Sequence, residues 1–127
     1  MAFGGLFQQD LLELILLGAP FTPPSAFWVS LHTGDPGNDG SSEIATAREQ
    51  VSFAGPVTID NAIQSSNEVS FASTTGGNIS HLGLWDAQTG GKFLYGGPLS
   101  VMRPLLVNEG ITFVVGAIRV RHGELYV

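Results

Sequence analysis

The chain has 127 residues, 43% of them apolar and only 13% charged, with 17 glycines, 7 prolines and a formal charge of −6. That length is most simply one domain with a real core, and the glycine and proline content predicts short strands joined by turns rather than a helical bundle. Eleven acidic residues against five basic ones argue against a nucleic-acid partner, and the lack of cysteine excludes disulfides, thiolate metal sites and a cysteine nucleophile.

Phe3, Leu6, Phe7, Leu11, Leu14, Ile15 and Leu17 recur at helical spacing, with Gln8, Gln9, Asp10 and Glu13 between them, which predicts an amphipathic helix over residues 5–17. Gly18 can adopt the left-handed C-cap, and Pro20 cannot continue the helix. The apolar run Leu11–Leu17 contains Glu13, lacks a basic flank and falls short of the roughly 20 residues a spanning helix needs. No membrane partner is expected, and the chain reads as soluble and not processed for secretion. Leu12 and Leu16 widen the apolar face beyond what one small sheet covers, so with Leu6 they are candidate contacts to a neighbouring subunit. Residues 1–19 read as a packing or assembly arm, and residues 20–127 as a single β domain.

After Pro23-Pro24 the apolar period changes from 3.6 to 2. Candidate strands are Ala26–His32, Arg48–Phe53, Val57–Ile59, Glu68–Phe71, His81–Trp85, Phe93–Tyr95, Ile111–Val115 and Ala117–Val120. The segments between them, such as GDPGNDG, STTGGN and DAQTGG, are turn compositions. The expected fold is mainly β: an antiparallel sandwich or barrel of about eight short strands with one N-terminal amphipathic helix. Val51-Ser52-Phe53, Val69-Ser70-Phe71 and Ile111-Thr112-Phe113 each predict an apolar pair facing inward and a hydroxyl facing out.

The acidic loop after the first long strand is the natural place to look for chemistry. An alternating calcium loop fails in register, because Gly37 follows Asp35 at the second position; a looser calcium site from Asp35, Asn38, Asp39 and Glu43 is the residual metal candidate. Zinc or iron would need His32, His81 and a carboxylate such as Asp35 or Asp86 to converge, and a histidine at a strand end reads more simply as a polar rim residue. No Gly-x-Ser-x-Gly elbow is present, and Thr89-Gly90-Gly91-Lys92 fails the phosphate-loop spacing. Neither catalytic residues nor a cofactor are therefore expected. Trp28 and Trp85, in alternating strands, read as core or interface. The alternating run Ile118-Arg119-Val120-Arg121 places Arg119 and Arg121 on one face, for docking to an acidic partner or as charge protecting an edge strand.

The order FQQDLLELIL, PFTPPSAFWVSLHTGDPGNDG, AREQVSF, NEVSFAST, ISHLGLWDAQTGGKFLYGGPLS and VNEGITFVVGAIRV resembles a family of small virion proteins of tailed bacteriophages, labelled tail fibre or minor structural proteins. The LHTGDPG segment and the HLGLWDAQTGG hairpin are its most specific parts. The resemblance implies a structural role in the virion without an active site. Together with the composition it favours a self-associating capsid cement or decoration protein, expected as a trimer docked on the major capsid protein or on tail proteins. A tail-fibre or collar component and a receptor- or glycan-binding module are the alternatives.

Overall fold

The computed structural model describes residues 2–55, 61–121 and 124–127. The elements in chain order are β1 (Ala2–Phe3), α1 (Gly5–Leu17), β2 (Phe27–His32), β3 (Glu49–Val51), β4 (Phe53–Ala54), β5 (Ile63–Ser65), β6 (Val69–Phe71), β7 (Gly77–Trp85), β8 (Phe93–Leu105), β9 (Ile111–Phe113), β10 (Arg119–Arg121) and β11 (Glu124–Tyr126). They form a five-stranded sheet in the order β1-β8-β7-β2-β3, a four-stranded sheet β11-β10-β5-β4 and a pair β6-β9. All pairings are antiparallel, as expected.

Among the described residues the sheets do not close into a barrel, so that alternative falls. More strands are described than the eight expected, because β1 (AF), β5 (IQS) and β11 (ELY) lack the apolar–polar–apolar alternation that marks β6 and β9. The candidate strand Arg48–Phe53 divides at Ser52, whose N–H is taken by the Asn67 side chain at 2.7 Å instead of a ladder partner. The candidate strand Val57–Ile59 lies outside the described residues.

Two of the three hydroxyl triplets behave as their pattern requires, whereas Val51-Ser52-Phe53 breaks at Ser52, with Val51 in one sheet and the half-buried Phe53 in another. Val69 and Phe71 oppose Phe113 and Ile111 with all four side chains buried, while Ser70 and Thr112 face solvent and share a hydrogen bond of 3.0 Å. Val29, Leu31, Leu82 and Leu84 from the centre of the large sheet join Ile118 and Leu125 from the end of the chain in one core.

The helix spans the residues its period predicts, but the inward apolar face read from that period is mostly uncovered, with Leu6, Leu14, Ile15 and Leu17 exposed. Gly18 ends it at φ 67°, and the Ala19 N–H closes on the Glu13 carbonyl at 3.1 Å, the wrap that a left-handed glycine permits. Phe7 is its one buried residue, seated edge-on to Tyr95 at 5.4 Å and against Phe3 and Phe21. The Asp10 carboxylate pairs with Lys92 at the start of β8. Just before α1, β1 adds to the edge of the five-stranded sheet through Ala2↔Gly96 and Phe3↔Tyr95.

The edge-strand reading of Arg119 and Arg121 is corrected by the topology. β10 lies between β11 and β5, and the edges of that sheet are β11 and β4. Arg119 has a partner on each side, Tyr126 and Gln64, and Arg121 is paired with Glu124 of β11, so β10 is an inner strand of the described sheet.

Candidate functional site

The loop after β2 is not an open rim. Strict alternation along β2 would leave Ser30 and His32 on the face opposite Val29 and Leu31, yet all four are buried, because residues 33–48 return across that face. The Thr33 N–H reaches the Ser42 carbonyl at 3.1 Å, the Ile44 N–H reaches the Leu31 carbonyl at 3.0 Å, and His32 bridges to Glu43. His32, expected at a polar rim, is fully enclosed.

Under this covering runs a chain of directed hydrogen bonds. The Trp85 indole N–H donates to Ser30 Oγ at 2.8 Å, and Ser30 Oγ lies 2.6 Å from His32 Nε2. His32 Nδ1 lies 2.7 Å from the Ser41 carbonyl. A carbonyl can only accept, so Nδ1 carries the proton, Nε2 accepts, and the Ser30 hydroxyl donates to it. Burial holds the His32 imidazole below its ordinary 6.5, against the opposing pull of the Ser41 carbonyl and the Glu43 carboxylate. The network fits only because residue 83 has no side chain: a Cβ there would lie 2.5 Å from His32 Nε2 and 2.6 Å from Ser30 Oγ.

Arg48 closes the covering. Its Nε and Nη2 grip the two Glu43 oxygens at 2.8 and 3.0 Å, and its Nη1 donates to the carbonyls of Ala87 and Gly90 at 2.9 and 2.7 Å. The guanidinium lies 3.7 Å from the Trp85 ring centroid. One side chain thus ties the acidic loop to the DAQTGG turn, and the two most specific segments of the sequence are in contact.

Each calcium candidate has a role within the chain. Asp35 Oδ1 accepts the Gly37 N–H at 2.9 Å, and Asp39 Oδ1 accepts the Ser41 N–H at 3.2 Å, both as local turn bonds. Glu43 is engaged by Arg48, while Asn38 is exposed and its carbonyl takes the Gly5 N–H at 2.9 Å. His32 and His81 are cross-strand partners, with His81 Nδ1 at 2.8 Å from Ser80 Oγ; His122 lies outside the described residues. No group of three histidine or carboxylate side chains suited to a metal occurs among the described residues.

The candidate contact residues divide into two sets. Leu6, Leu12 and Leu16 on α1 are 65%, 58% and 72% exposed, and Arg119 and Arg121 are also exposed, Arg121 over the Tyr126 ring. Trp28 is half-buried, and Trp85 is enclosed between Arg48 and Phe93. Sequence reasoning did not single out Ile15 and Leu17 as contacts, although both are more than 70% exposed, because they fit the same period as the buried face. It also missed the exposed Val101, Met102, Leu106 and Val107 along and beyond the end of β8, and a cavity of about 450 Å³ with walls from both larger sheets. Phe7, Phe21, Phe27, Phe53, Ile63 and Arg121 are among its lining residues. These positions are far apart in sequence, and no local pattern marks them.

No curated protein matches the chain. The family model of the podophage GP4 fiber I protein gp80 matches residues 3–121, from β1 through β10. That span takes in α1, the covered face of β2 and the Arg48 clasp. The chain belongs to this fibre-protein family and is a structural component of a tailed-phage virion, as the LHTGDPG and HLGLWDAQTGG segments implied.

Proposed function

We propose that the protein is a tail-fibre subunit that acts without catalysis, by associating with copies of itself and with neighbouring tail proteins. The fibre family supports this alternative better than the capsid cement role favoured on composition. The observation that carries the self-association is the last turn of α1, where Leu14, Ile15, Leu16 and Leu17 are all exposed. A helical turn that is apolar on every side is stable where something covers it. The buried polar network supports the absence of catalysis, since its groups already satisfy one another and no substrate reaches them. A trimer is the expected assembly.

The test is the triple variant Leu12→Gln/Ile15→Gln/Leu16→Gln, followed by light scattering and by incorporation into particles. Point substitutions are preferable to removing the N-terminus, which would also delete β1 and Phe7 from the fold. The variant is expected to fold, to run as a monomer and to be missing from virions, while the wild-type chain runs as an oligomer. Undiminished assembly of the variant would remove α1 from the interface. Copy number per particle separates the locations: a handful fits the tail, and hundreds would return the protein to the capsid.

A further inference from the structure

Residues 2–17 form an arm, β1 and α1, that lies on the edge of the five-stranded sheet. Ala2 and Phe3 add to β8 opposite Gly96 and Tyr95, the Gly4 N–H reaches the Leu94 carbonyl at 2.7 Å, and the Gly5 N–H reaches the Asn38 carbonyl at 2.9 Å. Phe3 stacks on Tyr95 at 5.0 Å, Phe7 meets the same ring edge-on, and Asp10 pairs with Lys92. Gly4 is pressed so close to the Phe93 carbonyl that a Cβ there would overlap it. The occupant that fits this seat is therefore given by the structure: residues 2–10 of this sequence. The joint behind the arm is much looser. Gly18 turns the chain back at φ 67°, and apart from its chain neighbours and the helix backbone no atom lies within 4 Å of where its Cβ would stand. Pro20, Pro23 and Pro24 hold the chain beyond it near extended geometry, so the freedom to re-aim the arm is concentrated at Gly18. Just before that joint Leu14, Ile15, Leu16 and Leu17 are exposed, so an arm folded on its own body leaves its last turn uncovered.

We infer that the arm is exchanged between copies: β1 and Phe7 of one copy occupy the sheet edge of the next, which receives them through Leu94, Tyr95, Asn38 and Lys92. This rests on the fibre-subunit reading and specifies what passes between subunits. The contacts of the seat are kept in the exchange, so what separates the closed from the exchanged form is the Gly18 turn, the entropy of association and the cover gained by Leu14–Leu17, which then run between two bodies. Exchange of an identical element is a low-cost route to an oligomer. Passing the arm in one direction around the assembly closes a ring, of three copies for a trimer.

The wild-type chain carries its own reporter, because Lys92 is its one lysine and the partner Asp10 comes from the arm. Carbodiimide treatment of the oligomer joins the two side chains as an amide, and Asp10→Asn is the control that removes the link. Exchange is expected to give covalent oligomers on a denaturing gel, with the Lys92–Asp10 link identified by mass spectrometry. When isotope-labelled and unlabelled chains are refolded together, the linked peptides should include pairs of mixed label. Gly18→Val is the second test, read at concentrations where the wild type is partly dissociated. A β-branched residue opposes the left-handed turn while meeting open space, so it should raise the share of oligomer.

Oligomers whose Lys92–Asp10 links all lie within single chains, or that form no such link, would overturn the exchange and leave self-association through α1 in place. Assembly lowered or unchanged by Gly18→Val would also overturn it, since the turn would then serve the closed fold alone. A wild-type chain that runs as a monomer would instead remove the self-association reading itself.

Discussion

The Arg48 guanidinium lies 3.7 Å from the Trp85 ring centroid while gripping both oxygens of Glu43, so a cation–π contact and an ion pair meet on one nearly buried side chain. Arg48→Ala removes both and strands Glu43, the Ala87 carbonyl and the Gly90 carbonyl without their donor. Breaking a buried pair on one side costs about 3–5 kcal/mol, and the variant should lose stability on that scale in urea unfolding. Arg48→Lys should recover little, because an ammonium cannot reproduce the bidentate fork. A loss below about 1 kcal/mol for Arg48→Ala would show that the clasp does not hold the loop.

Gly83→Ala is expected to be among the most damaging single-methyl changes in the chain. The added Cβ would meet His32 Nε2 and Ser30 Oγ at distances no real Cβ adopts, and both groups sit in a closed network with no free space. Overpacking of this kind costs about 1–3 kcal/mol, and losing the Ser30–His32 bond adds to it. Thermal unfolding measures the effect; Gly55→Ala, which meets nothing within 4 Å, is the control and should be near neutral.

The helix was legible because its period, its C-cap glycine and the following proline all agree over one continuous stretch. The triplets Val69-Ser70-Phe71 and Ile111-Thr112-Phe113 were legible for the same reason at period 2, whereas Val51-Ser52-Phe53 was misread as one strand because its break is made by the distant Asn67 side chain. His32 was not, since alternation tells which face of β2 a residue occupies but not whether a loop folds back over that face. The covering depends on Arg48 reaching Ala87 and Gly90, some forty residues away, and no local pattern encodes such a contact. The cavity is hidden for a similar reason: Phe27, Phe53 and Val120 each look like ordinary strand residues until two sheets bring them together.

Acid should weaken the fold through His32. Burial lowers its folded-state pKa below the ordinary 6.5, so above about pH 6.5 the imidazole is neutral in both states and its contribution is complete. Below that pH the unfolded chain takes up a proton that the folded chain resists, and stability falls by up to about 1.4 kcal/mol per pH unit until the folded value is reached. A proton on Nε2 would also leave Ser30 facing two donors, the imidazolium and the Trp85 indole. His32→Gln should be less stable than the wild type at pH 7.5, with the difference narrowing toward pH 5. NMR of the His32 ring in the native protein should show a midpoint below 6.5; a midpoint above it would reverse the sign of the whole effect.

What holds α1 against the sheet is an aromatic anchor more than a charge. Phe7 is buried among the rings of Phe3, Phe21 and Tyr95, whereas the Lys92–Asp10 pair is about one-third exposed on each side. Truncating a core phenylalanine costs about 3–5 kcal/mol, while a solvent-screened pair contributes about 0–1 kcal/mol. Phe7→Ala should therefore free α1 and open the chain to cleavage near Gly18, and Lys92→Ala should leave the proteolysis pattern unchanged. The distinction bears on assembly: a helix fixed at Phe7 presents Leu12, Ile15 and Leu16 in one orientation, so Phe7→Ala should lower self-association although the exposed leucines are intact. Normal assembly by Phe7→Ala, measured beside its increased cleavage, would mean that the helix binds its partner without needing to be held in place first.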